Sequence, residues 1–229
     1  MANLADIRVI LFDAVGTLIY PSPPAVDVYQ QVGAQWGANL SRDEVACRFR
    51  NAFATIFAKG NSTPTSHAIE HQRWREVVSA VFGDTPAPLN AIFEQLWTHF
   101  AKSENWSLFP DVADVWRTLE QRGFELGIAS NFDDRLPEVL AGLPPLSTCR
   151  HVFWSSRIGY AKPHPRFFQT VADLLQTPPD TLLLVGDDWQ NDVLGATAAG
   201  WRAVYLDRTS QAPTDRAITT FTDIMNFLD

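Results

Sequence analysis

Val9-Ile-Leu-Phe-Asp-Ala-Val-Gly-Thr-Leu18 is the stretch of sequence that decides the fold. Four apolar residues run up to Asp13, as expected of a strand that is buried on both faces of a parallel sheet. In open α/β sheets, ligands bind at the carboxyl ends of such strands, which places the Asp13 carboxylate where it can react. Gly16 then allows a sharp turn. Taken alone, an aspartate here more often caps a loop, so its meaning depends on the rest of the chain.

The rest of the sequence repeats this strand pattern at wide intervals. Four further short apolar runs are typical of buried strands, and they lie at 124–129, 152–154, 181–185 and 203–206. Helical periods separate them, for example the apolar stripe of Val112, Val115 and Leu119, which ends at Gly123. Strands that alternate with helices predict a doubly wound parallel α/β sheet.

One long segment departs from this alternation. From about Pro24 to Glu104 the apolar residues recur at helical spacing in three stripes, and no strand pattern is evident. The first stripe places Val45 and Phe53 on one face. We therefore predict an all-helical insert within an α/β core, with the insert at residues 20–104 and the core at residues 1–19 and 105–229.

Polar residues follow two of the later strands. Ser130 ends the second strand, where its hydroxyl and its backbone N–H can serve an anion. A simpler alternative is that Ser130 or Asp133 caps a helix. Lys162 precedes a helix that starts at Pro165, and its charge could neutralise a phosphate and a carboxylate together. A lysine exposed on a loop is the simpler alternative there.

The fourth strand is followed by a dense group of acidic residues, Asp187, Asp188 and Asp192. Carboxylates this close together repel one another unless a cation lies between them. A hard cation such as Mg²⁺ prefers oxygen ligands. The start of a capped helix would explain one of these aspartates but not three, so the pattern predicts a metal site.

Composition narrows the classes of function. The chain has 229 residues, of which 46% are hydrophobic, and a formal net charge of −8. No run of lysine or arginine offers a face to nucleic acid, and no apolar run is long enough to span a bilayer. Residues 1–6 lack the pattern of a signal peptide, and two isolated cysteines form no disulfide framework. We expect a cytoplasmic monomer or homodimer without nucleic-acid or membrane partners.

Taken together, these residues resemble the four sequence motifs of the haloacid dehalogenase (HAD) superfamily. Asp13, Ser130, Lys162 and the acidic group after the fourth strand follow one another in the family's order and span essentially the whole chain. The helical insert resembles the cap of subfamily I. The form Asp-Ala-Val-Gly-Thr-Leu is similar to the branch named for a rhythmically expressed gene. The resemblance implies a Rossmann-like core with the strand order 3-2-1-4-5.

The resemblance also implies a reaction at Asp13. In the family this aspartate attacks phosphorus and forms an aspartyl-phosphate, and the motif lysine, here Lys162, balances the charge of the phosphoryl oxygens. Such charge balance supplies most of the catalysis of phosphoryl transfer. The implied hydrogen-bond partners of the phosphoryl group are Thr17, Ser130 and Asn131. The cap is implied to close over the site and to select the substrate, a small phosphate ester.

The metal ligands that the resemblance implies would hold Mg²⁺. They are the side chain of Asp13, the backbone carbonyl of Val15 and the side chain of Asp187. Asp192 would orient Lys162 or a metal-bound water, and Asp188 is an alternative ligand. A backbone ligand does not depend on its side chain, so valine at position 15 leaves that ligand in place.

The side chain of Val15 departs from the family pattern. HAD phosphatases normally carry a second aspartate there, which protonates the leaving oxygen and then deprotonates the attacking water. General acid–base catalysis contributes about 10²–10⁴-fold, so we expect slow hydrolysis of ordinary alkyl phosphates. Substrates with good leaving groups need less protonation and should be affected less.

Three functions remain open on this sequence. The first is a Mg²⁺-dependent phosphatase that is slow or unusual in its substrate. The second is a non-catalytic binding or assembly factor. Its candidate apolar patch, which ordinary burial within the insert would also explain, comprises Trp36, Trp74, Trp97 and Trp106. The third is a metal-free 2-haloacid dehalogenase, a class that usually carries other residues at the positions of Val15, Asp187 and Phe168.

Overall fold

The computed structural model describes residues 6–60, 63–209 and 217–228, and for residues 58–60 only the backbone. The predicted core therefore includes some residues outside the described ranges. Within those ranges the strands are β1 Val9–Phe12, β2 Ile19–Pro21, β3 Trp106–Leu108, β4 Glu125–Ser130, β5 His151–Trp154, β6 Leu182–Gly186, β7 Arg202–Leu206 and β8 Ala217–Ile218. The helices are α1 Ala25–Gln35, α2 Arg42–Gly60, α3 His67–Phe82, α4 Leu89–His99, α5 Val112–Gln121, α6 Leu136–Ala141, α7 Ser155–Ile158, α8 Pro165–Leu175, α9 Gly195–Ala198 and α10 Ile224–Leu228. None of the helices described here has both the length and the apolar character needed to cross a bilayer.

A parallel sheet of six strands forms the core, in the order β5-β4-β1-β6-β7-β8. Its first five strands are those predicted, and they stand in the predicted order 3-2-1-4-5, so the predicted fold class is confirmed. The sequence did not predict β8, because two residues are too few to show a pattern. Phe12 lies level with Ile128 of β4 and with Val185 of β6. The residues that follow these three strands therefore lie together at one edge of the sheet.

Apolar side chains cover both faces of this sheet. Ile10 and Phe12 of β1 belong to the apolar cluster of one face, which includes Trp116 of α5. Leu11 belongs to the cluster of the other face, which includes Phe168 of α8. Every residue of β1 is buried. This burial on both faces is why the strand appears in the sequence as an unbroken apolar run.

The segment between β2 and β3 folds as α1 to α4 around an apolar cluster of its own. Val45 of α2, Val77 of α3 and Ile92 of α4 are fully buried, so the prediction of an all-helical insert is confirmed. Where the insert begins and ends remains a prediction. Phe53 departs from its predicted buried stripe, because it is 43% exposed and faces a cavity between the insert and the core.

A small antiparallel sheet connects the insert to the core. Ile19 of β2 lies opposite Leu108 of β3, and Pro21 lies opposite Trp106. The sequence did not predict this pair, because three residues in each strand are too few to show alternation. The chain therefore leaves and re-enters the core at adjacent points.

The helical segment that follows β6 is irregular. A π-helical stretch, Trp189–Leu194, precedes the short α9. The carboxylate of Asp188 accepts hydrogen bonds from the backbone N–H groups of Gln190 and Asn191, and so caps this stretch. An apolar pattern read at 3.6 residues per turn cannot indicate a π-helix, which has a wider turn.

Candidate active site

Lys162 lies among the polar residues that follow β1, β4 and β6. It is 1% exposed. Its Nζ donates to Asp13 Oδ1 over 2.8 Å, to Asp192 Oδ1 over 2.5 Å and to the backbone carbonyl of Ala129 over 2.7 Å. All three ammonium protons therefore have acceptors. The alternative interpretation of Lys162 as an exposed loop lysine is wrong.

Asn131 holds the backbone of Lys162 in place. The Asn131 Oδ1 accepts the Lys162 N–H over 2.7 Å, and the Asn131 Nδ2 donates to the Lys162 carbonyl over 2.8 Å. These two bonds tie the loop after β4 to the loop before α8. The predicted role of Asn131 in phosphate binding stays a prediction, whereas its contacts make it a positioning residue for Lys162.

Asp187 brings a third carboxylate to the same edge of the sheet. Its Oδ1 accepts a hydrogen bond from the hydroxyl of Thr17 over 3.0 Å, and Thr17 is fully buried. Among the residues that the structure describes, Asp13, Asp187 and Asp192 form a group whose ligand oxygens lie within 4.8 Å of one another. Oxygen donors at this spacing suit a hard divalent cation. The predicted role of Thr17 as a phosphoryl donor stays a prediction.

The negative charge of this group exceeds the positive charge beside it, since the three carboxylates have one ammonium group next to them, which contacts Asp13 and Asp192. Burial and the charge of Asp13 raise the pKa of Asp187 to about 6. Burial also raises the pKa of Asp192, although Lys162 opposes that effect. Burial by itself would lower the pKa of Lys162, but Asp13 and Asp192 raise it above its ordinary value. A divalent cation would compensate the excess charge, so the donor set fits Mg²⁺.

Asp188, the alternative metal ligand, lies outside the group of three carboxylates. Its Oδ1 accepts the N–H groups of Gln190 and Asn191, each over 2.9 Å. Asp192 instead accepts the backbone N–H of Asp188 on Oδ2 and the Lys162 ammonium on Oδ1. Asp192 therefore stands where its predicted role of orienting Lys162 requires it to be.

Arg135 is a buried residue of this region that the sequence analysis did not identify. Its Nε and Nη2 donate to the two carboxylate oxygens of Asp133, each over 2.7 Å. The guanidinium lies 3.7 Å from the centre of the Trp97 ring of the insert. Ser130 is 2% exposed at the end of β4. The spacing Asp-x-Arg after β4 indicates that Arg135 can pair with Asp133. A single arginine in a sequence is usually solvated, so this spacing alone does not predict a buried residue.

A cavity of about 290 Å³ lies between these loops and the insert. Val15, which is 38% exposed, contributes to its wall together with Asn131 and Arg135. The rest of the wall is mostly apolar, and its aromatic residues include Tyr29, Phe53, Trp74, Phe93, Trp97 and Phe100. Of the four tryptophans named as a candidate patch, Trp36 does not line the cavity and the other three do.

The close approach of Gly16 to Asp187 leads to a first prediction. A Cβ at Gly16 would lie 2.2 Å from Asp187 Oδ2, whereas a Cβ at Gly37, which has a similar positive φ, would meet nothing within 4 Å. We expect Gly16→Ala to weaken Mg²⁺ binding by about 10–100-fold, because it displaces the carboxylate of Asp187, a predicted ligand. Gly37→Ala is the control for backbone strain and should bind Mg²⁺ normally. Calorimetric titration measures both affinities, and equal values for the two variants would contradict the prediction.

Comparisons with known proteins relate this chain to one family. The family model for haloacid dehalogenase-like hydrolases matches residues 7–200. Haloacid dehalogenase-like hydrolase domain-containing protein 3 from Homo sapiens is 31% identical over 208 residues, which cover 87% of this chain and 82% of that protein. The rhythmically expressed gene 2 protein from Drosophila melanogaster is 24% identical over 230 residues, which cover 93% of this chain and 87% of that protein.

Solved structures show the same fold. A HAD phosphatase from Thermococcus onnurineus has a TM-score of 0.67 and 22% identity, with 97% of this chain and 98% of that chain covered. The HAD-hydrolase YfnB from Bacillus subtilis, bound to magnesium, has a TM-score of 0.76 and 18% identity, with the same coverage. At these identities the likeness concerns the fold alone.

Proposed function

The chain belongs to the family of haloacid dehalogenase-like hydrolases, and on that premise we propose that it is a Mg²⁺-dependent phosphatase for a small phosphate ester. The observation that carries the proposal is the buried Lys162, which binds one oxygen of Asp13 and one of Asp192. A buried ammonium that fixes a carboxylate at the end of a strand prepares that carboxylate to attack an anionic substrate. Asp13 is only slightly exposed, so little water competes with the substrate for it.

In the proposed reaction, the Asp13 oxygen that Lys162 does not hold attacks phosphorus. The bond from phosphorus to the ester oxygen breaks, and an aspartyl-phosphate forms on Asp13. Lys162 balances charge on the phosphoryl group, and the hydroxyl of Ser130 donates a hydrogen bond to one of its oxygens. The single hydroxyl proton of Thr17, which is donated to Asp187 in this structure, would turn to a phosphoryl oxygen when the substrate binds. Water then cleaves the aspartyl-phosphate and releases inorganic phosphate.

Within this proposal, Asp13, Asp187 and the backbone carbonyl of Val15 would hold Mg²⁺. When bound, the metal supplies positive charge to the phosphoryl oxygens. The fit rests on the uncompensated negative charge of the three clustered carboxylates. Asp192 is assigned to orienting Lys162, because its carboxylate accepts a hydrogen bond from the Lys162 ammonium. Asp188 is assigned to capping the π-helical stretch, because its carboxylate accepts the backbone N–H groups of Gln190 and Asn191.

Val15 limits the substrates that this site can hydrolyse rapidly. Valine has no proton to give to a leaving oxygen, and the aspartate that normally does so in phosphatases of this family is absent. Esters whose leaving group departs as a stable anion do not need that proton. We therefore expect turnover to rise steeply as the leaving group becomes more acidic.

Hydrolysis of p-nitrophenyl phosphate, with and without Mg²⁺, tests the proposal because its leaving group needs no acid. We expect Mg²⁺-dependent release of p-nitrophenol by protein whose circular dichroism shows that it is folded. Absence of turnover in folded protein would favour a non-catalytic binding protein. Release of chloride from 2-chloropropionate without metal would favour a dehalogenase. Either outcome would overturn the phosphatase proposal.

The raised pKa of Asp187 predicts how Mg²⁺ binding depends on pH. Without metal, Asp187 contributes most to the stability of the fold at a pH below the pKa that its carboxyl has in the unfolded chain. That stabilising contribution is lost as the pH rises through about 6, the pKa of Asp187 in the folded protein. Mg²⁺ needs the ionised form, so metal stabilises the fold more as the pH rises. At one fixed concentration, about 100 times the Kd that Mg²⁺ has at pH 7.5, the metal should raise the Tm by about 5–10 °C near pH 7.5 and by about half as much near pH 5. Thermal denaturation measures both shifts, and equal shifts would contradict the assignment of Asp187.

A further inference from the structure

The cavity of about 290 Å³ beside the carboxylates adjoins the proposed reaction site. On its wall, Val15 stands two residues after Asp13, and Asn131 directly follows Ser130. The group attached to a phosphate at Asp13 would therefore extend into this cavity. The opposite wall comes from the insert and is largely aromatic, with Phe53, Trp74 and Trp97 among its residues.

The loop after β4 contributes two polar side chains to this wall, Asn131 and Arg135, and both are engaged by neighbours. Arg135 binds both carboxylate oxygens of Asp133 and lies against the Trp97 ring. The Asn131 amide binds the N–H and the carbonyl of Lys162. The wall therefore offers aromatic faces to a ligand, and its arginine is neutralised by a buried partner. A second anionic group on the substrate would lose its hydration here without gaining an ion pair.

We propose that the substrate is an aryl phosphate, the phosphate ester of a phenolic hydroxyl. This inference rests on the proposed phosphatase function. The rings of the substrate occupy the aromatic cavity while its phosphate lies at Asp13. Two independent features converge on this class, the aromatic wall and the missing proton donor at Val15. A phenolate is a stable leaving anion, whereas an alkoxide is not.

The chemistry of such an ester balances without an acid at position 15. An Asp13 oxygen forms a bond to phosphorus, and the bond from phosphorus to the phenolic oxygen breaks. The phenolate departs with the electron pair and takes its proton from solvent. Water then hydrolyses the aspartyl-phosphate, which yields inorganic phosphate and returns the Asp13 carboxylate.

The size of the cavity suits one or two rings. An apolar cavity of about 150 Å³ is enough to hold benzene, and this one measures about 290 Å³. That volume is near the lower end of the range for small-molecule sites, about 300–1,000 Å³. Two fused aromatic rings therefore fit in it.

Two pairs of substrates test the inference. Acetyl phosphate has a better leaving group than 2-naphthyl phosphate but no ring, so chemistry alone would make it the faster substrate. We expect kcat/KM for 2-naphthyl phosphate to be higher, on the order of tenfold or more. Adding a carboxylate at carbon 6 of the naphthyl group improves the leaving group slightly and places a charge in the cavity. We expect that addition to lower kcat/KM by about tenfold or more.

Substitution of a residue in the cavity wall tests whether the preference for aryl phosphates arises from this cavity. Phe53 is 43% exposed and lines the cavity, whereas Trp36 is 42% exposed and does not. Phe53→Ser should lower the ratio of kcat/KM for 2-naphthyl phosphate to that for acetyl phosphate by about tenfold. Trp36→Ser, the matched control in the insert, should leave the ratio unchanged.

Binding of 2-naphthyl phosphonate, which cannot be hydrolysed, separates this inference from the phosphatase proposal. Quenching of tryptophan fluorescence reports occupancy, because Trp74 and Trp97 line the cavity. Saturable binding that weakens in Phe53→Ser would support the ligand class even if no ester were hydrolysed, an outcome that would defeat only the phosphatase proposal. Hydrolysis of acetyl phosphate that equals or exceeds that of 2-naphthyl phosphate would overturn the aryl preference and leave the phosphatase proposal intact. Absence of phosphonate binding would overturn it as well.

Discussion

Asp13→Asn should abolish hydrolysis of p-nitrophenyl phosphate, with a loss of kcat on the order of 10⁴-fold or more. The substituted amide keeps the shape of the carboxylate but lacks the charge and the nucleophilicity needed to attack phosphorus. The loss should appear in kcat rather than in KM, because the phosphate can still contact Lys162, Thr17 and Ser130. Purified variant and unaltered protein, assayed side by side with Mg²⁺, give the comparison.

Asp188→Asn is the matched control for this loss. It removes a negative charge at the same edge of the sheet, but Asp188 lies outside the group of three carboxylates. We expect its turnover to fall by less than about tenfold, since an amide oxygen can still accept the capping hydrogen bonds. If Asp13→Asn retained turnover while Asp188→Asn lost it, the assignment of the nucleophile and the ligands would be wrong.

Val15→Asp should raise kcat/KM for 2-phenylethyl phosphate by on the order of 10²-fold. This ester keeps an aromatic ring for the cavity but has an alkyl leaving group, so its hydrolysis depends on a proton donor. Val15 is 38% exposed and lines the cavity, so a carboxyl there is not forced into an apolar interior. The neighbouring Asp13 and Asp187 should raise the pKa of the new carboxyl, which favours the protonated form that an acid requires.

Val15→Asn distinguishes the effect of a proton donor at position 15 from the effect of a polar side chain of the same size. Asparagine has nearly the size and polarity of aspartate but cannot protonate a leaving oxygen. We expect no gain for 2-phenylethyl phosphate in this variant, and little change for p-nitrophenyl phosphate in either variant. Equal gains in the aspartate and asparagine variants would show that wall polarity, rather than acid catalysis, limits the unaltered protein.

The sequence predicted the core of this fold well because its strands are buried on both faces. Such strands appear as unbroken apolar runs, and β1, β4 and β6 were located in this way with only small differences at their ends. Parallel strands also require their carboxyl ends to meet at one edge. The meeting of Asp13 and the acidic residues after β6 could therefore be expected from the sequence alone.

Other features could not be predicted because their causes lie in contacts between distant segments. Phe53 follows a helical stripe in the sequence, but its neighbours include a cavity wall that the stripe cannot reveal. The sequence assigned Asn131 to phosphate binding and could not indicate that its amide holds the Lys162 backbone 31 residues away. Arg135 pairs with Asp133 and packs on Trp97, which lies in another part of the chain.

The three hydrogen bonds of the Lys162 ammonium also constrain the order of folding. They reach Asp13, Ala129 and Asp192, which are 149, 33 and 30 residues away along the chain. Closing such loops is entropically costly, and contacts of long sequence separation form late and slowly. A partly folded intermediate that lacks any one of these segments leaves the lysine without its full set of acceptors. We therefore expect this site to form late in folding, so that recovery of activity during refolding should report completion of the core.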